Sequence, residues 1–226
     1  MVMDVNLGFL RRWFDALYVR RVITKNCPLT VVHPERLPKE GPVIFVANHS
    51  SLVDAVVIQF CYPPSMLSRI RPSGARDFFR PKRRIDWFKP GKLLKYFMAT
   101  YFMRLCYLER GSGEAAKRGE VDPFTSFVEP LNRGEMLIYF PQGSRDELLF
   151  QKGVYHLAER FPRIPIIPMF LEGTRELHPK GVPFWKFFPT PVTVYVGEQY
   201  HFNEALSPAE NVRALQIYVY NLVTAR

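Results

Sequence analysis

Four short apolar, β-branched runs constrain this chain more than any other feature. They are Val43–Ala47, Met136–Phe140, Ile164–Leu171 and Val192–Val196. Runs of this length and composition read as buried strands. Helical stretches separate them. Leu52–Phe60 begins at a cap on Ser50 or Ser51 and stops at Pro63-Pro64. Leu94–Cys106, Thr125–Arg133 and Val154–Arg160 come next, the second closed by Gly134. A last helix lies within Leu206–Arg226 and opens at Ser207-Pro208. Strands alternating with helices predict an α/β fold with a mostly parallel central sheet flanked by helices.

Charge divides the chain differently. The net charge is +10, and residues 69–95 hold ten basic residues against Asp77 and Asp86, a net of +8. Residues 1–25 add +3, five basic against two acidic, which leaves the remainder nearly neutral at −1. Gly8–Ile23 reads as an amphipathic helix. Leu10, Trp13, Phe14 and Leu17 share one half of the wheel, with Arg11, Arg12 and Asp15 on the other. Such a helix either docks on a core or lies in a membrane interface. Residues 1–30 are set apart as a basic amphipathic helix, a candidate membrane-docking element, and residues 31–226 as the main domain. Cations interleaved with aromatics, such as Arg83, Arg84 and Trp87, suit an anionic membrane surface, single-stranded nucleic acid or a solvated loop.

Other totals narrow the setting. Cys27, Cys61 and Cys106 make no CxxC spacing, so neither a disulfide framework nor a metal site is expected. No apolar run reaches the roughly 18–20 residues of a membrane span, because Lys95 and Arg104 interrupt Leu93–Leu108. Arg11 and Arg12 break any secretory apolar stretch. A cytoplasmic protein, soluble or peripheral on the inner face of a membrane, is expected.

The most informative stretch leaves the first strand: Asn48-His49-Ser50-Ser51-Leu52-Val53-Asp54. It sets a histidine on a strand-end loop and an aspartate in the first helical turn. An aspartate there is favoured as the anion. If the ring folds back onto it, one nitrogen is oriented and the other can take a proton from a hydroxyl. This spacing alone is weak, and an ordinary loop histidine is its plain alternative. Ser50, Ser51 and Ser144 lie near candidate groups, but none sits in a G-x-S-x-G elbow. A second stretch, Phe140–Arg145, leaves another strand. It offers Gly143 for close backbone approach and Arg145 as a planar fork for phosphate.

Taken together, these blocks resemble the glycerolipid acyltransferases of the lysophosphatidate acyltransferase (PlsC-like) type. That family's N-H-x4-D block is matched by Asn48, His49 and Asp54. A block ending in arginine is matched at Leu108–Arg110. F-P-E-G-T-R-S is matched from Phe140 to Arg145, with Gln142 and Ser144 substituted. Lys152-Gly153 matches the family's lysine-glycine pair, and Ile164–Met169 its V-P-I-V-P-V block. A second copy of the third block's core, Glu172-Gly173-Thr174-Arg175, lies after the fourth block, so Arg175 is only a second anion contact candidate.

The resemblance implies transfer of an acyl chain from a thioester, acyl-CoA or acyl carrier protein, to a lysolipid hydroxyl. His49 would be the general base and Asp54 its orienting partner. Asn48, Arg110, Gln142, Gly143, Ser144 and Arg145 would bind substrates, with backbone N–H groups near Gly143 steadying the oxyanion. The thioester is a co-substrate, and no cofactor or metal is implied. The basic segment lies between two family blocks. Contact of Trp13, Phe14, Arg83, Arg84 and Trp87 with an anionic membrane surface is then the expectation, and nucleic acid is not. With Gln142 in place of the family's glutamate, the acceptor stays open. The rival reading is a non-catalytic membrane- or nucleic-acid-binding module on the same fold.

Overall fold

The computed structural model describes residues 25, 27–75, 103–108, 122–182 and 186–224. Its strands are β1 (Leu29–Val32), β2 (Val43–Ala47), β3 (Ile70–Ala75), β4 (Cys106–Leu108), β5 (Met136–Tyr139), β6 (Ile166–Glu172) and β7 (Val192–Val196). The helices are α1 (Asp54–Phe60), α2 (Thr125–Asn132), α3 (Gly153–Arg160), α4 (Thr174–Leu177) and α5 (Pro208–Asn221). The strands form one sheet in the order β1-β7-β6-β2-β5-β3-β4. All neighbours are parallel except β6 and β7. The mostly parallel α/β sheet expected from the sequence is therefore present.

β2 shows why its sequence is apolar throughout. Every residue of Val43–Ala47 is buried. Side chains alternate between the two faces of a strand. Val43, Phe45 and Ala47 pack with Val57 and Ile58 of α1, while Ile44 and Val46 join Phe127 and Leu131 of α2, Leu157 of α3 and Leu215 of α5. With helices on both faces, no position on β2 tolerates water. α5 starts as predicted: Ser207 accepts from the Glu210 N–H at 3.3 Å while the Glu210 carboxylate accepts from the Ser207 N–H at 2.9 Å.

The parallel neighbours β6, β2 and β5 run side by side, so their C-terminal ends open on one edge of the sheet. Ligand sites of open α/β sheets form on that edge. Among the described residues no helix is long and apolar enough to cross a membrane.

Three expectations change. The described end of the predicted helix Leu94–Cys106 is not helical: Met103–Leu105 is irregular, and Cys106 opens β4 by pairing with Ser73. The start of the basic segment, where no strand is expected from the sequence, is strand β3, held by pairing of Ile70 with Met136. Arg71 on that strand is not a free surface cation. Its guanidinium meets Glu135, which also accepts Arg133 Nε at 3.0 Å. This cluster lies at the N-terminal end of β5, away from the site edge. The N-terminal helix with Trp13 and Phe14, and also Arg83, Arg84, Trp87 and Arg110, lie outside the described residues.

Candidate active site

The loop leaving β2 is organised by one carboxylate oxygen. Asp54 Oδ2 accepts from the Ser50 N–H at 2.7 Å and the Ser51 N–H at 2.8 Å, and lies 2.8 Å from His49 Nδ1. The expected serine cap is absent: α1 has no side-chain cap bond, and the aspartate one residue inside gathers the loop instead. Asp54 is fully buried. An ionised carboxylate only accepts hydrogen bonds, so His49 Nδ1 carries the proton. In the neutral ring Nε2 then holds a lone pair, and among the described residues it has no partner. The ring stacks on Phe140 at 4.3 Å between centroids, which fixes its plane. A base held this way can remove a proton from a hydroxyl.

Asn48 has a different place from the one expected. Its Nδ2–H donates to the Leu171 carbonyl at 2.9 Å and its Oδ1 accepts the Leu171 N–H at 2.7 Å. Both ends of the buried amide are taken up by the backbone of β6, so Asn48 holds strand ends together rather than facing a substrate.

Gln142 is also buried. Its Oε1 accepts the backbone N–H of His49, and its Nε2–H donates to the Glu147 carbonyl. This is work for an amide, because one end must accept while the other donates. The side chain joins the base-carrying loop to the loop after β5, with both its ends engaged by backbone. Gly143, exposed and at φ 76°, closes its own turn with a long 3.5 Å N–H bond to the Phe140 carbonyl. Ser144 lies beside it, its Oγ accepting the Asp146 N–H at 3.4 Å.

Arg145 and Arg175 both act on one group, Asp146, whose carboxyl is held below the usual range. The hydrogen bond from Lys180 is the main cause, with added attraction from Lys180, Arg145 and Arg175. Arg145 Nη1 is buried and has no hydrogen-bond partner among the described residues. An unpaired buried donor is costly unless a ligand completes it, and a guanidinium suits a phosphate or carboxylate.

The second Glu-Gly-Thr-Arg copy therefore belongs to the site. Gly173 takes φ 86°, and a Cβ there would lie 2.2 Å from the Pro191 carbonyl oxygen. Only glycine allows this turn. The turn delivers Thr174, whose Oγ1 is 2.9 Å from Ser50 Oγ. Sequence reading missed Thr174 and the bridging role of Gln142. Their signal was position at a strand end, which needs the strand order to interpret. Ser51 donates to the His178 carbonyl at 2.8 Å. Among the described residues neither Ser50, Ser51 nor Ser144 bonds the His49 ring, so no serine is placed as its nucleophile.

Comparison with known proteins identifies relatives of the chain and of its fold. The 1-acyl-sn-glycerol-3-phosphate acyltransferase of Saccharomyces cerevisiae is 28% identical over 181 residues, 74% of this chain and 51% of that protein. The Cocos nucifera protein of the same name is 29% identical over 155 residues, 67% of this chain and 43% of that one. The chain thus spans about half the length of these relatives. The crystal structure of the 1-acyl-sn-glycerophosphate acyltransferase PlsC from Thermotoga maritima shares the fold. Its TM-score is 0.61 at 20% identity, over 97% of this chain and 81% of that one. A family model described as acyltransferase matches residues 28–172, well over half of the 226 residues, and on that match the chain belongs to the acyltransferase family.

Proposed function

We propose that the protein transfers a fatty acyl group from a thioester to the hydroxyl of a lysophospholipid such as 1-acylglycerol-3-phosphate. The observation that carries this is the His49–Asp54 pair at 2.8 Å, with Nε2 unpartnered among the described residues, on the edge where β5 and β6 also lead into Arg145 and Arg175. His49 Nε2 takes the proton of the acceptor hydroxyl as its oxygen attacks the thioester carbonyl. The new C–O bond forms, the tetrahedral intermediate collapses, and the C–S bond breaks. The thiolate leaves with the proton that His49 held. Asp54 keeps the ring in one tautomer and stabilises the imidazolium that forms.

Arg145, whose Nη1 has no partner among the described residues, and Arg175 bind the phosphate of the acceptor or of acyl-CoA. The donor is acyl-CoA or acyl carrier protein, and the scheme uses no further cofactor. The enzyme works peripherally at the cytoplasmic face of an anionic membrane, and the basic residues of 76–95 and 1–25 assist. The names of the relatives support the acceptor class.

The test is thiol release from acyl-CoA with a panel of lysolipids. His49→Ala should abolish turnover while leaving lipid binding intact, and Arg145→Ala should raise KM for phosphorylated acceptors. A His49→Ala protein at the wild-type rate, or no turnover of any lysolipid by the wild type, refutes the reading.

A further inference from the structure

Among the described residues few large apolar side chains face water, and two of them are consecutive. Leu148 is 71% exposed and Leu149 is 67% exposed. Single exposed leucines need no explanation. These two need one because the loop that presents them is pinned on both sides. The Glu147 carbonyl is held by Gln142. The Leu148 carbonyl accepts from Gln216 Nε2 at 3.2 Å and from the Tyr220 hydroxyl at 3.5 Å, both on α5. The Phe150 N–H donates to Gln216 Oε1 at 3.0 Å, and the Gln151 N–H to the Pro141 carbonyl at 2.9 Å. The Phe150 side chain is buried in the core. A loose loop could fold its leucines inward. This one holds its backbone against α5 and turns both side chains outward.

We propose that Leu148 and Leu149 form an apolar prong that enters a lipid bilayer and seats the site edge at the headgroup level. The proposal rests on the acyltransferase reading above, since a lysolipid acceptor resides in such a surface. The prong's size argues against a protein partner. A stable protein interface covers about 800 Å² on each side, whereas a membrane accepts a few protruding side chains. Charge argues for the same occupant. The chain's net +10 draws it to anionic lipid, while the loop itself is balanced, Arg145 and Lys152 against Asp146 and Glu147. Its insertion is therefore apolar and resists salt. Only two bonds separate the prong from the base: Glu147 carbonyl to Gln142, and Gln142 to the His49 N–H.

The experiment is flotation of the full chain with phosphatidylcholine vesicles doped with phosphatidylglycerol, in low and high salt. The Leu148→Asn/Leu149→Asn double variant should partition at least about tenfold more weakly, equivalent to about 1.4 kcal/mol. The deficit should persist in high salt, and the melting temperature should stay at the wild-type value. Leu148→Phe/Leu149→Phe should partition like the wild type. Turnover of a short-chain, water-soluble lysolipid should be unchanged in the Asn pair. That arm reads the acyltransferase assignment separately: no turnover by the wild type refutes that assignment, while the partition data still judge the prong. Equal partition of the Asn pair overturns the proposal. So does a fall in its melting temperature, which would mean the leucines are covered by the chain itself. A wild-type dimer that the Asn pair dissociates also overturns it.

Discussion

Asp54→Asn separates the two duties of the carboxylate. Among the described residues, its three bonds converge on Oδ2, while Oδ1 is buried without a partner. An asparagine can put its oxygen in the Oδ2 position and keep the bonds to Ser50, Ser51 and His49 Nδ1. The ring then keeps its tautomer, and what disappears is the negative charge facing the imidazolium. For charges roughly 4 Å apart at an effective dielectric of about 20, that attraction is about 4 kcal/mol. The His49 ring is partly exposed, at 21%, so screening lowers it to about 3 kcal/mol. The imidazolium exists only once the proton has moved, so the loss falls on kcat, by roughly 100- to 1000-fold. That is less than the roughly 10⁴-fold loss in a triad whose amide imposes the wrong tautomer. The asparagine Nδ2, placed where Oδ1 was, is an unsatisfied buried donor costing about 1–3 kcal/mol. Removal of a buried charge offsets part of that cost, so the protein stays folded. Steady-state thiol release reads kcat, and circular dichroism confirms the fold. A folded Asp54→Asn protein within about threefold of wild-type kcat refutes the charge argument.

Three further outcomes are expected from the geometry. Gln142→Glu, although it restores the family's residue, should lower kcat with little change in KM, because an ionised carboxylate has no hydrogen for the Glu147 carbonyl. Wild-type steady-state constants would show that the amide bridge is dispensable. Gly173→Ala should cost several-fold in activity and about 1–3 kcal/mol in urea unfolding, since its φ of 86° and the nearby Pro191 oxygen exclude a Cβ. The three thiols should resist alkylation in the native protein near pH 8 and react on denaturation. Burial raises Cys61 to about 12 and Cys27 and Cys106 to about 11, from the ordinary 9.0. Folded pKa values above the unfolded ones give stability that is complete below about pH 9 and is lost as pH rises through about 11. Denaturation curves at stepped alkaline pH check that direction.

The sequence was most legible where structure depends on neighbours along the chain. β2 was found to the residue because a run buried on both faces is apolar throughout, and β7 because its β-branched and aromatic residues, all but Thr193 buried, suit a strand. The His49–Asp54 pair was visible because five residues of loop and helix start bring the two together. β1 escaped because Leu29–Val32 is a half-wet edge strand. β3 escaped because Arg71, Pro72 and Gly74 read as loop, and pairing with β4 and β5 makes it a strand. The same limit hid the bonds of Gln142 and Thr174. Each depends on which strand lies beside β2, and strand order is not written in any local pattern.

Asn48 carries a consequence for how this site is mapped by mutation. Its side chain imitates a backbone amide, exchanging a donor and an acceptor with Leu171 one step beyond the last residue of β2. It lengthens the sheet by one rung without lengthening the strand, so the main chain is released to turn at His49. Removing that rung leaves both Leu171 backbone groups unsatisfied and unmoors the turn. Activity then falls for a mechanical reason. A scan scored only by turnover would group Asn48 with the chemistry, whereas a parallel scan of unfolding free energy would group it with the sheet.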